Sequence, residues 1–125
     1  MKGTVLVVDD SAMMRKVVLR VLKMADIEFE SILEAGDGNE ALNLLRINPV
    51  ALIMCDINMP VMSGLQLLQH IKEEKLAAGV PIVMVTTENS EPQVRQAIIL
   101  GARGYIRKPF TIDHIKTNVK PLLAA

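Results

Sequence analysis

Aromatic residues are nearly absent: the 125-residue chain has no tryptophan, one tyrosine and two phenylalanines, which leaves little to stack against a flavin ring. Cysteine is scarcer still. Cys55 is the only one, so no intrachain disulfide can form and a reducing compartment fits. There is no excess of either charge, because fourteen basic residues cancel fourteen acidic ones. That argues against binding nucleic acid or a membrane surface through bulk charge, and leaves local patches open. No apolar run approaches the roughly 18 residues of a membrane span, and no charged leader precedes an apolar stretch. Low-complexity tracts, repeats and linker-like stretches are also missing.

Half of the residues are apolar and 22% are charged, a globular balance rather than a disordered one. The length suits one domain with a proper core, so the expectation is a single cytoplasmic unit over residues 1–125 with no output domain. Short apolar runs alternate with helical patterns. The strand-like runs are 4–9 (TVLVVD), 31–35 (SILEA), 51–56 (ALIMCD), 81–86 (PIVMVT) and 104–107 (GYIR). Between and after them, apolar residues recur at spacings of three and four: Met14, Val17, Val18, Val21 and Leu22; Ala41, Leu42 and Leu45; Leu65, Leu68 and Ile71; Val94, Ala97 and Ile98; Ile112, Ile115 and Val119. Each interval between strands holds a helix and two loops, as right-handed parallel crossovers need. The pattern predicts five β-α units in an α/β doubly wound parallel sheet, with the acid-bearing second strand at an edge.

Helix starts carry capping chemistry. Asp37 precedes Glu40 by three, Ser90 precedes Gln93 by three, and Ser63 and Thr111 are candidate N-caps. Pro92 suits a first turn and Gly101 a helix stop, while Pro121 should kink or end the last helix near Lys120.

The first apolar run ends in two adjacent acids, Asp9 and Asp10, which is costly where carboxylates are partly buried. In open parallel sheets ligands bind beyond the carboxyl ends of the strands. Those ends carry Asp9 and Asp10, then Asp56, Thr86 and Lys108. Each alone has a structural explanation, as a cap, a strand end or ordinary β-sheet material. All at one edge is a constellation. At an effective dielectric of about 20, two unit charges 4 Å apart interact by about 4 kcal/mol. Three clustered carboxylates thus cost roughly 10 kcal/mol, comparable to the roughly 5–15 kcal/mol stability of a small domain. One lysine does not neutralise that; a divalent cation does, and all-oxygen ligands favour Mg²⁺. A cation held by few carboxylates commonly serves a phosphate. That suggests an aspartyl phosphate, with Asp56 on the central strand as nucleophile and Lys108 and Thr86 on the other phosphoryl oxygens.

The stretches VLVVDDS, IMCDINMPVMSG, IVMVTTE and GARGYIRKPF resemble, in order and spacing, the signatures of two-component response-regulator receiver domains. The resemblance spans essentially the whole chain and is strongest to single-domain chemotaxis members. It implies the flavodoxin-like strand order 2-1-3-4-5 and a histidine kinase that donates its phosphoryl group to Asp56. It also implies Mg²⁺ held by Asp10, Asp56 and the backbone carbonyl of Asn58, with Asp9 acting mostly through water. Lys108 would pair with the phosphorylated site, Pro109 would follow a cis peptide, and Gly64 would let the chain turn. Thr86 and Tyr105 match the switch pair, whose rearrangement alters the face of the fourth helix, fifth strand and fifth helix. Asn58, Thr87 and Glu88 occupy the positions that tune hydrolysis, and Thr87 is bulkier than the alanine common in chemotaxis members. Output partners would be a flagellar motor switch component or a histidine phosphotransfer protein. Glu91 and Arg107 depart from the lysine and valine of the familiar chemotaxis protein, which weighs against the motor but not against phosphoacceptance.

Other readings are weaker. GDGNEA at 36–41, with Gly36 and Gly38, fits a dinucleotide fingerprint with an acid twenty residues on at Asp56, yet the acids would repel a pyrophosphate. A haloacid-dehalogenase-type phosphatase wants an acid where Asn58 stands. A phosphorelay shuttle, or a receiver cut from a larger regulator, fits as well as a chemotaxis output. Cys55 should point into packing, and His70 and His114 need no role.

Overall fold

The structure is a computed structural model that describes residues 3–87 and 90–123. Five parallel strands form one sheet in the order β2-β1-β3-β4-β5: β1 (Thr4–Val8), β2 (Ser31–Ala35), β3 (Leu52–Cys55), β4 (Ile82–Thr86) and β5 (Gly104–Arg107). Helices follow them: α1 (Ala12–Met24), α2 (Gly38–Ile47), α3 (Gly64–Glu73), α4 (Glu91–Ile99), α5 (Ile112–Asn118) and a last turn, α6 (Lys120–Leu123). The anticipated strand order and the edge position of β2 both hold.

Successive strand residues face opposite sides of the sheet, and the core divides accordingly. Leu6, Val8, Ile53, Cys55 and Met84 point to one side, where Leu42 and Leu45 of α2, Leu67, Leu68 and Ile71 of α3, and Ala97 of α4 cover them. Val5, Val7, Leu52, Met54, Val83 and Val85 point to the other, under Val18 and Leu22 of α1 and Ile115 of α5. This two-sided cover explains why β1, β3 and β4 are apolar throughout and do not alternate. Burying one such leucine or isoleucine contributes about 1.5–3 kcal/mol.

Capping chemistry fixes where helices begin, with some corrections. Ser63 forms a full capping box with Gln66, and Thr111 forms one with His114. His114 therefore does have a structural role, because its Nδ1 accepts the Thr111 N–H at 3.2 Å. Asp37 accepts the Glu40 N–H, but Glu40 turns back to Gly36 rather than to Asp37. Ser90 occupies the N-cap of α4 without a side-chain cap bond. Gly101, at φ +112°, follows the end of α4. The last helix breaks at Val119, one residue before Lys120, because Pro121 cannot supply an N–H to continue it. Two expected core residues are exposed: Ile98 at 60% and Val17 at 36%. Each is at the margin of its helix's apolar stripe, so the spacing alone could not separate it from its buried neighbours.

Candidate phosphoacceptor site

Parallel register delivers the acids to one edge. Val8 pairs with Cys55, so the next residues, Asp9 and Asp56, leave adjacent strands at the same level, with the Asp56 N–H donating to the Val8 carbonyl at 3.0 Å. On the far side Thr86 is opposite Arg107, and the Lys108 N–H donates to the Thr86 carbonyl at 2.8 Å. One carboxylate oxygen from each of Asp9, Asp10 and Asp56 lies within 4.8 Å of the others. Asp9, Asp56 and Thr86 are buried, whereas Asp10 is exposed.

Lys108 reaches into this group. Its Nζ donates to Asp9 Oδ2 at 2.9 Å and to Asp56 Oδ2 at 3.4 Å. The other Asp9 oxygen, Oδ1, accepts the Ser11 N–H at 2.9 Å. Both oxygens of Asp9 thus have protein partners, while Asp10 projects towards solvent. Three carboxylates against one ammonium leave a formal charge of minus two. The donor set is all oxygen, with no imidazole or thiolate, and its charge deficit equals that of one hard divalent cation. The residues present fit such an ion.

The loop after β3 presses closely on Asp56. A Cβ at Gly64 would overlap the Asp56 carbonyl oxygen and approach Ile57 Cα to 2.8 Å. Gly64 has no positive φ; Val61, at +68°, takes the left-handed turn instead. The glycine is therefore required for close approach, not for the turn expected of it. The Lys108–Pro109 peptide is cis. Cys55 is buried in packing, and its thiol is pushed up, first by burial and then by the charges of Asp56 and Asp9, so it stays protonated.

Tyr105 is half-buried on β5, and Asn58 and Thr87 are exposed beside the strand ends. Glu88 lies outside the described residues. Met14, Val17, Thr87, Lys108, Pro109 and Phe110 line a concavity of about 370 Å³ at the rim. The Gly36–Ala41 turn is a poor phosphate cradle. Two of its N–H groups, those of Gly36 and Glu40, already donate to the Glu40 and Asp37 carboxylates, which put negative charge where a phosphate would sit, and a side chain on Gly38 would strike Met62.

Sequence reasoning overlooked Arg15 and took Glu34 only as an acid of the edge strand. Arg15 Nε donates to Glu34 Oε1 at 2.9 Å and its Nη1 to the Asp9 carbonyl at 2.6 Å; Lys16 Nζ reaches Glu34 Oε2 at 3.0 Å. One signal was available. Two cations in the first turns of a helix oppose its dipole and need a partner.

The sequence matches the response regulator receiver domain family over residues 5–120, and the chain belongs to that family. Its class is therefore that of a two-component signalling receiver. Among individual proteins, it is 40% identical over 119 residues to a chemotaxis protein CheY homolog of Campylobacter jejuni subsp. jejuni, covering 94% of this chain and 90% of that one. The structure of chemotaxis protein CheY4 of Vibrio cholerae superposes with a TM-score of 0.83 at 32% identity, over 98% of this chain and all of the other (100%). A response regulator receiver protein of Pseudomonas putida gives 0.79 at 26%, over 92% and 93% of the two chains.

Proposed function

We propose that the protein is a phosphoacceptor whose Asp56 takes a phosphoryl group from the phosphohistidine of a histidine kinase. The observation that carries this reading is the buried Asp56 carboxylate, which shares the ammonium of Lys108 with Asp9 and has Asp10 within 4.8 Å. An Asp56 oxygen attacks phosphorus, the P–N bond breaks, and the imidazole leaves with the electron pair and takes up a proton. Lys108 holds a phosphoryl oxygen and the Thr86 hydroxyl another. Asp10, Asp56 and the Asn58 carbonyl would hold Mg²⁺, with Asp9 contributing mostly through water. When bound, the ion supplies charge neutralisation for the phosphoryl oxygens.

Phosphorylation shifts an existing equilibrium as far as the phosphate discriminates between the two states. Thr86 and Tyr105 are the switch pair, and the surface of α4, β5 and α5 is the output face. Chemotaxis signalling is the favoured setting, given the relatives named above. A phosphorelay shuttle towards a histidine phosphotransfer protein is the second reading; the exposed Arg107 and the Glu91–Arg95 ion pair give the output face its own charge pattern, which weighs against the motor rather than for one particular partner. Neither setting involves nucleic acid or a membrane, and among the described residues no helix is long and apolar enough to cross one.

Acetyl phosphate labelling with Mg²⁺ tests the acceptor. Wild type should take up one phosphoryl group and Asp56→Ala none; stoichiometric labelling of the variant would remove Asp56 from the role. Asn58, Thr87 and Glu88 set how fast the group is lost. Thr87→Ala should shorten the phosphorylated lifetime by opening the approach to water, and an unchanged lifetime would dismiss that part.

A further inference from the structure

We propose that Arg15 is a positioning residue for the acid cluster, fixing the Asp9–Asp10 peptide and through it the place of the Asp10 carboxylate. This rests on the reading of that cluster as a Mg²⁺ site. The β1 ladder ends at Val8, and the Asp9 carbonyl beyond it is taken up by Arg15 Nη1 at 2.6 Å. That carbonyl belongs to the same rigid peptide plane as the Asp10 nitrogen, so holding one sets the direction in which Asp10 leaves the strand. From the other side the Ser11 N–H is tied to Asp9 Oδ1 at 2.9 Å. Asp10 therefore stands between two clamps, which allows an exposed side chain to keep an oxygen within 4.8 Å of Asp9 and Asp56.

Arg15 is itself held. Its Nε donates to Glu34 Oε1 on β2 at 2.9 Å, and its side chain is only 17% exposed. Glu34 is shared with Lys16 at 3.0 Å, and its carboxyl lies below its ordinary range because of these two donors. The arrangement uses both ends of a planar guanidinium, one on a carboxylate and one on a carbonyl. A lysine ammonium is a compact point charge without that fork. The path runs from β2 through α1 to the end of β1, in an element order no local signal displays.

Charge and geometry make opposite predictions, which gives the test its force. A guanidinium near a cation site repels the cation, so if Arg15 acted only as a charge its removal would tighten Mg²⁺ binding. If it positions Asp10, its removal loosens binding. Calorimetric titration of the full chain with Mg²⁺ should show Arg15→Ala weakened about tenfold, as outer-shell groups of metal sites commonly are. Arg15→Lys, which keeps the charge, should remain weakened, and Glu34→Gln should weaken by a smaller factor. Equal or tighter binding in Arg15→Ala, or full recovery in Arg15→Lys, would overturn the proposal while leaving the Mg²⁺ site intact. A wild-type protein that takes up no Mg²⁺ would overturn the site reading and this one with it. Should Arg15→Ala fail to fold, unchanged or tighter binding in both Arg15→Lys and Glu34→Gln is the refuting result.

Discussion

Replacing Asp10 by alanine should make the Mg²⁺-free protein more stable and should remove the extra stability that Mg²⁺ confers. Asp10 lies within 4.8 Å of two other carboxylates, where each pair repels by about 0.9 kcal/mol at the dielectric of water and about 3.5 kcal/mol at an effective value of 20. Asp10 is exposed, so the lower figure governs. Lys108 attracts Asp10 and gives part of this back, as does the nearby start of α1, where a carboxylate is worth about 0.3–1 kcal/mol. Relief of about 0.5 kcal/mol remains, or about 2 °C in Tm for a domain of this size. No helix cap is lost, because Ser11 caps α1 through its bond from the Met14 N–H at 3.2 Å. With Mg²⁺ at ten times its Kd, linkage adds about 1.4 kcal/mol to wild type and little to the variant. Urea unfolding followed by far-UV circular dichroism, in chelator and in Mg²⁺, measures both. A less stable Mg²⁺-free variant, or an equal Mg²⁺ increment in the two proteins, would refute the electrostatic account.

Gly64→Ala should cost about 1–3 kcal/mol, since the added methyl meets the backbone of Asp56 and Ile57 and no flexible side chain that could yield; an unchanged thermal midpoint would show that the loop moves freely. Glu34 gives a pH test. Its carboxyl is held below its ordinary range, first by the Arg15 hydrogen bond and then by that of Lys16. The stability it lends is complete above the unfolded value of about pH 4.3 and is lost as pH falls through the folded one. Glu34→Gln should thus be less stable at neutral pH by about 0.5–1 kcal/mol, with the gap closing in acid. Urea midpoints at neutral pH and well below the carboxylate range would show it, and a gap that persisted in acid would count against the ion pair.

The candidate site was legible to the extent that its residues terminate strands. Asp9, Asp56, Thr86 and Lys108 could be placed at one edge because each closes or follows a run whose apolar character is local, and parallel topology does the rest. The partnerships among them were not legible. Lys108 meets Asp9 across 99 positions of chain, and Arg15 meets Glu34 across 19. Glu34 read simply as the acid of an edge strand. Gly64 was legible as necessary but for the wrong reason, since the clash it avoids is with a backbone several residues earlier.

The sequence by itself determined the order and kind of the elements, because apolar period, caps and proline act within a few neighbouring residues. It also determined which acids reach the carboxyl edge, since pleat and strand direction leave no alternative. Tertiary structure alone decided which charge answers which. Asp9 is bound by Lys108 and Ser11, Asp10 is left to solvent, and Arg15 spans two strands. The reason is one of range. Hydrogen bonds and ion pairs act over about 3 Å, and only the folded chain brings distant residues within that distance.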